Sequence, residues 1–468
     1  MAGIFDGRQK GGEIARTKGG VDLHGSFVLG AWRHLSTIIA LRLPAPLDVK
    51  IVVSKVRRRL IPFVFLLYIV AYLDRINVGF AALQMNAALG LSASEFGLGA
   101  GIFFVSYTVL EVPSNVVLAR IGARLWIARI MITWGLVSSG MMFVQGPTSF
   151  SVMRFLLGAA EAGFFPGVIF YLTRWFPARE RARTIAAFMT ASLAAGIVGG
   201  PISGALLSMN GVGGLAGWQW LFLLEGLPAI VLGVVVLFYM TEHPDDARWL
   251  SDDERSALVE ALRREGNERL SSPTIISGVG GALASRRIWL LAIVYFTIPI
   301  ALYAFGFWLP QIIRATSNGT DFQIGVLAAI PYVVGACGMV IVARHSDRVA
   351  ERRWHIACAA LAGGGAFVVS AFVHGLALSL AALSVAMLGL ASMFGPFWAL
   401  ATSRLRGVGA AAAIALINSI GNTGGFVGPY VIGYIRDRTQ SFTGGLIFVG
   451  VILAVVPLLV LALADDRP

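Results

Sequence analysis

A dozen apolar runs, each long enough to cross a bilayer as one helix, dominate this chain and leave it few folds to choose from. They fall at roughly residues 60 to 80, 94 to 118, 126 to 145, 149 to 172, 184 to 208 and 219 to 240. After a polar interval they resume at 288 to 312, 323 to 343, 354 to 373, 377 to 400, 409 to 434 and 443 to 464. Backbone polar groups in hydrocarbon must be satisfied within the spanning structure, which restricts it to helices or a closed barrel. A barrel would show short alternating segments instead, so the runs predict an all-α integral membrane protein of twelve transmembrane helices. Composition agrees: 57% of the 468 residues are hydrophobic, 13% are charged and mean hydropathy is +0.77. Soluble globular chains of this size do not combine those values.

The formal charge of +12 would fit a nucleic-acid partner, but the arginines sit at the edges of the apolar runs rather than along one polar face. No nucleic-acid role is expected. Short loops on one side hold about thirteen arginines, among them Arg120, Arg124, Arg174, Arg179, Arg181, Arg183, Arg348, Arg352 and Arg353; the other side holds about three, Arg314, Arg436 and Arg438. The bias predicts a multi-pass membrane protein with both termini in the cytoplasm. Arg436 and Arg438 break it locally, with Asp437 between them.

Cys337 and Cys358 both fall in predicted helices, too few for a disulfide scaffold or a metal site, and read as small packing residues. Residues 1–55 read as a cytoplasmic tail: Gly25 to Leu43 is apolar in part but interrupted by Arg33, His34 and Arg42, which suits an interfacial or unstructured segment better than a thirteenth span. Translation starting near Val52 or Val53 is an alternative, since lysine and arginines then lead straight into the first run. Mass spectrometry of the native N-terminus would decide, because peptides from residues 1 to 45 would exclude it.

The polar interval divides the chain. Residues 56–240 form one predicted six-helix bundle, 241–286 a cytoplasmic central loop and 287–468 a second six-helix bundle. Within the loop, Ser251 followed by Asp252, Asp253 and Glu254 suits the capped start of a surface helix running to about Arg264. The two bundles repeat one another. Ala119 to Trp126 aligns with Asp347 to Trp354 at an offset of 228, the separation of Arg120 from Arg348. The same offset superposes Gly196, Gly200 and Pro201 on Gly424, Gly428 and Pro429. One register covering two separated motifs marks parallel repeats, a known transporter plan. The glycines suit close packing at least as well as a hinge.

Ionisable residues inside the runs are the pointers to function, because a charge near the middle of a spanning helix costs on the order of 2.5 to 3.5 kcal/mol. Asp74 and Arg75 lie in the first run, Arg154 and Glu161 in the fourth, and together they sum to zero charge. Seven residues is nearly two turns, so Arg154 and Glu161 share a helix face about 10 Å apart along the axis. A guanidinium holds a carboxylate with two parallel hydrogen bonds. Carboxylates whose burial and arginine neighbours change can take up and release protons. Proton-coupled anion transport fits that set, with a permanent pair of ion bridges as the structural alternative. Glu111 is expected to bond loop arginines or a helix end. For Glu225 the sequence offers no partner.

These residues carry a resemblance. YLDRINVGFA at 72–81, EVPSNVVLARIGARLWIARIMITWG at 111–135, RFLLGAAEAGFFPG at 154–167, ARHSDRVAERRWH at 343–355 and ALINSIGNTGGFVGPYVIG at 415–433 resemble the anion:cation symporter family of the major facilitator superfamily. Similarity spans about residues 55 to 464 and is greatest to bacterial permeases for tartrate, 4-hydroxyphenylacetate and phthalate. The resemblance implies no enzyme activity and no cofactor beyond protons. It implies proton-coupled uptake of an organic carboxylate by alternating access, with a monomer as the working unit. It assigns Arg75 to the substrate carboxylate, Asp74 and Glu161 to proton coupling, and Arg154 to tuning Glu161. Tyr72, Asn77 and Tyr107 match cavity-lining positions, and Trp398, Asn418 and Asn422 match substrate-facing positions of the second half.

Arg120, Arg124, Asp347, Arg348 and Arg352 match the loop motifs that gate the cavity, although the first loop has Ala119 where the superfamily usually carries an acid. Asymmetric gating bridges are therefore expected. The fifth span offers Ser192 where some sugar-acid carriers have a long amide, which favours a different cargo. Tyr303, Phe307, Trp308, Phe397 and Trp398 could stack on an aromatic acid. An anion exchanger or exporter without proton coupling, and a non-transporting membrane sensor, stay open on these residues. No metal spacing, phosphate loop or nucleophile-base signature occurs.

Overall fold

A computed structural model of the chain describes residues 48–270, 283–403 and 408–463. The expected tail and its apolar stretch, Gly25 to Leu43, lie outside the described residues. Every one of the twelve apolar runs falls on helix. In the first half these are α1 (Val49–Leu89), α2 (Ala93–Ile121), α3 (Ala123–Gly140), α4 (Pro147–Glu161) continued by α5 (Phe164–Trp175), α6 (Ala178–Met189) leading into α7 (Ala191–Leu207), and α8 (Gly217–Tyr239). A surface helix, α9 (Asp252–Leu270), precedes the second half: α10 (Arg286–Thr316), α11 (Asp321–Val349), α12 (Arg353–Ser370), α13 (Leu376–Thr402), α14 (Val408–Thr439) and α15 (Thr443–Leu461). Large apolar side chains such as Phe238, Ile341 and Leu458 stand exposed on outward helix faces, as they do where lipid is the solvent. Cys337 and Cys358 are also exposed and unbridged. They lie on outer helix faces, not in the packing role expected from their place in apolar runs.

The halves meet where glycine removes a side chain. An added Cβ on Gly97 of α2 would lie 2.5 Å from the Pro429 carbonyl oxygen of α14, and one on Gly200 of α7 would lie 2.3 Å from that of Gly325 in α11. Gly79 of α1 faces the Gly306 carbonyl and Phe307 of α10 in the same way, at 2.8 and 2.9 Å. All three contacts lie in the half of the bundle away from the arginine-bearing loops. They allow close backbone approach, which is the packing role expected for Gly200. Gly428, its repeat mate, packs on Ile300 of α10 in its own half, with a built Cβ 2.3 Å from that carbonyl oxygen.

Polar caps close the same face. The Asp437 carboxylate at the end of α14 accepts from the backbone N–H groups of Ala93 and Ser94, at 2.9 and 2.7 Å, and so caps the start of α2. Gln84 of α1 donates to Asp321 of α11 at 2.6 Å and to the Leu207 carbonyl at 3.1 Å. Asp321 also pairs with Arg314. Acids at helix starts satisfy N–H groups that no helix can satisfy itself.

On the opposite face α9 does more than present a solvated surface. It opens with a capping box between Ser251 and Glu254. It then packs on the first half: Leu258 is fully buried, Glu254 pairs with Lys55 at 2.7 Å, and Arg181 of α6 pairs with Glu265 at 3.4 Å.

Candidate functional site

Glu161 ends a helix that the apolar pattern alone would have continued. The fourth run is not one rod: Ala162 is extended (ψ 128°) and Gly163 adopts φ +89°, a left-handed backbone that glycine reaches without a Cβ penalty. The break frees the Ala162 carbonyl, and Ser114 of α2 donates its hydroxyl to it at 2.6 Å. Ser114 in turn accepts from the Trp126 indole of α3 at 2.9 Å. Interrupted helices in membranes persist where neighbours re-satisfy the backbone in this way, and they mark many transport sites.

From that helix end Glu161 forms a buried ion pair with Arg75 of α1. Arg75 is turned further toward the second half, donating from Nη1 to the Tyr303 hydroxyl of α10 at 3.1 Å. Tyr303 stands 228 residues after Arg75, so the two are mates in the internal repeat and meet where the halves face each other. The guanidinium also lies 5.1 Å from the Tyr107 ring and 5.2 Å from that of Phe103. Aromatic faces at this range attract a cation while shielding it from water. One guanidinium nitrogen, Nε of Arg75, and the second Glu161 oxygen are buried without a partner.

Asp74 points elsewhere. It accepts from the Ser138 hydroxyl of α3 and from Asn77 Nδ2 at 3.2 Å, one turn along α1. Arg154, fully buried on α4, makes no ion pair among the described residues; its Nη2 donates to the Ala100 carbonyl at 3.2 Å and its guanidinium lies 5.0 Å from the Phe103 ring. Of the two ion bridges that the charge pattern allowed, only Arg75–Glu161 is therefore made.

The other sequence candidates divide between the surroundings of Arg75 and the packing farther out. Tyr72 is buried beside Tyr68, which stacks on Phe188 with centroids 4.6 Å apart. Trp398 packs edge-on to Tyr295 at 5.0 Å and keeps a buried indole N–H without a partner. Asn422 is half-buried one turn beyond Asn418 on α14. Asn418 itself corrects an expectation: Glu111 bonds neither loop arginines nor a helix end but accepts from Asn418 Nδ2 at 3.1 Å, across the boundary between halves. Ser192, at the start of α7, donates to the Met189 carbonyl at the end of α6, at 2.9 Å. Of the aromatic residues, Phe104 and Tyr303 pack with centroids 4.2 Å apart beside Arg75. Trp308 is fully buried and donates to the Pro429 carbonyl at 3.2 Å.

The loop motifs are held by different acids. In the second half Asp347 pairs with Arg352 at 2.7 Å, while Arg348 is exposed. In the first half the acid absent at Ala119 is supplied from the far end of the bundle. Glu242, just after α8, accepts from the backbone N–H groups of Ala123 and Arg124 at 2.8 Å each and pairs with Arg174 at 2.7 Å. Arg120 is exposed. No local pattern in the sequence marks Glu242, because its partners lie between 68 and 119 residues away.

Residues 64–429 match the Major Facilitator Superfamily. A protein of Agrobacterium vitis named "Putative tartrate transporter" is 51% identical over 420 residues, 89% of this chain and 95% of the relative. A "Quinolone resistance transporter" of Acinetobacter baumannii is 41% identical, covering 86% of this chain and 93% of its own. Among solved structures, an inward-facing, occupied bacterial homologue of the human lysosomal transporter Spinster superposes with a TM-score of 0.71 at 15% identity, over 86% of this chain and 96% of that one. That likeness concerns the fold.

Proposed function

We propose, for a chain that belongs to the Major Facilitator Superfamily and is a multi-pass membrane transporter rather than an enzyme, that its cargo is an organic acid anion of the tartrate type taken up together with protons. The observation that carries this reading is the buried Arg75–Glu161 pair, turned toward Tyr303 of the other half. A cargo carboxylate docking on Arg75 meets Glu161 on the same guanidinium. Two carboxylates against one cation out of water are unfavourable, and a proton on Glu161 removes the conflict. Protonation thus frees Arg75 for the cargo, and loss of the proton restores the ion pair and expels it. Proton and anion travel together because neither binds well alone.

With the arginine-rich loops in the cytoplasm, the glycine seams and the Asp437 cap close the outer face. The tartrate name of the 51% identical relative supports the choice of cargo. Purified protein in proteoliposomes, with an inward proton gradient, is expected to accumulate one of tartrate, sugar acids, phthalate or 4-hydroxyphenylacetate. Glu161→Gln should keep exchange of that acid and lose gradient-driven accumulation. Undiminished accumulation in this variant would remove Glu161 from the coupling step. Export without proton coupling is the second reading, favoured by the name of the 41% identical Acinetobacter relative. Counterflow that ignores the gradient in the unaltered protein would select it.

A further inference from the structure

Next to Arg75, around Asp74 and Asn77 of α1, lies a second group of buried polar side chains that the cycle above does not use. Glu225 of α8 is 6% exposed, and its Oε1 accepts from the Ser203 hydroxyl of α7 at 2.8 Å. Asn77, fully buried on α1, lies beside Glu225 and donates to Asp74. Oε2 of Glu225, Oδ1 of Asn77 and Oδ2 of Asp74 make no full hydrogen bond, although Asn77 stands close to Glu225 and the Trp134 indole of α3 close to Asp74. Around Glu225 the charged neighbour is Asp74 from α1. Ser203 faces it from α7, and from α3 the nearby polar groups are the hydroxyls of Ser138 and Ser139, the latter beside Gly226. No cation among the described residues contacts it.

An ionised carboxylate buried without a cation is strongly unfavourable, and two facing one another are worse. A proton on Glu225 Oε2 relieves both costs at once, because it removes a charge and turns an orphan acceptor into a donor within the group. We propose that Glu225 is a proton-binding site of the transport cycle, distinct from Glu161 and linked through Asn77 to Asp74. This rests on the proton-symport reading. The step moves one proton from water onto a Glu225 carboxylate oxygen and later returns it to water on the other side; no electrons and no further co-reactant are involved. The site is placed for entry from the arginine-poor face, since Glu225 lies nearer that end of α8.

The test is the proton-to-anion ratio, read as the external anion concentration at which net flux reverses under a fixed pH gradient. Reversal is an equilibrium property that a slower but intact carrier does not shift. Each proton lost from the ratio lowers the equilibrium accumulation about tenfold per pH unit. Glu225→Gln, which keeps size and one acceptor, is expected to lower the accumulation by that factor while anion exchange at equal pH persists. Glu225→Asp, which keeps the acid, should hold the ratio of the unaltered protein. An unchanged ratio in Glu225→Gln overturns the assignment. If Glu225→Gln does not fold, a ratio in Glu225→Asp equal to the unaltered protein's, with a shifted pH midpoint of flux, supports it, and an unshifted midpoint overturns it. If the unaltered protein shows no response to the gradient, the symport reading fails first, and the two failures are told apart.

Discussion

Arg75 is asked to do what lysine cannot. Its fork pairs with Glu161, reaches Tyr303 and lies against two aromatic rings, all from one planar group. Lysine would keep the charge and lose the fork, and a hydrogen bond to a charged group is worth roughly 1.5 to 3 kcal/mol. Arg75→Lys should therefore weaken cargo binding by about 10- to 100-fold with the protein intact, as measured by equilibrium binding to the purified carrier; near-normal affinity would mean that the carboxylate docks elsewhere. The four central charges stood out in the sequence because charge is rare in apolar runs. Their partners did not. Arg75 lies one position from Asp74 and seven from no other candidate, so nothing local pairs it with Glu161 or turns Asp74 toward Ser138. Tyr303 was within reach of sequence reasoning, since the repeat register leads from Arg75 straight to it.

Among elements, the interrupted fourth span is the one that sets the site. Its apolar pattern is continuous through residues 149 to 172, and hydropathy does not record backbone direction, which is why the break was not legible. Gly163 requires a left-handed conformation costing an L-residue roughly 1 to 2 kcal/mol. A Cβ there would also lie 2.3 Å from the Ser114 hydroxyl. Gly163→Ala is expected to lower the thermal midpoint in detergent and to reduce transport by displacing Glu161. A variant as stable and active as the original would show the break to be dispensable. The surface helix α9 makes the opposite kind of prediction. The Lys55 ammonium and the Ser251 N–H hold the Glu254 carboxyl below the usual glutamate range. A depressed value adds stability that is complete above the unfolded value and lost only as pH falls through the folded one, so docking of α9 should not change between about pH 5 and pH 8. Hydrogen exchange over residues 252–265 checks this, and protection that varies within the window would assign the anchoring to another group.

At the scale of the molecule, the two halves share a backbone plan and divide the chemistry. Every buried charged residue among the described residues, Asp74, Arg75, Glu111, Arg154, Glu161 and Glu225, belongs to the first half. The second half offers hydroxyls, amides and rings, including Tyr303, Asn418 and Trp398. The twelve spans and the repeat were readable from hydropathy and register, whereas this division shows only once burial separates loop charges from interior ones. It predicts the behaviour of a chimera that joins residues 1–286 of this chain to the second half of the Acinetobacter relative. Dependence on the proton gradient should follow the first half and cargo preference the second, as read from uptake of an acid panel at two gradients. Proton dependence that moved with the second half would contradict the division. Under the proposed cycle, substitutions in the uncharged half change what is carried and leave the buried acids and arginines of the other half in place.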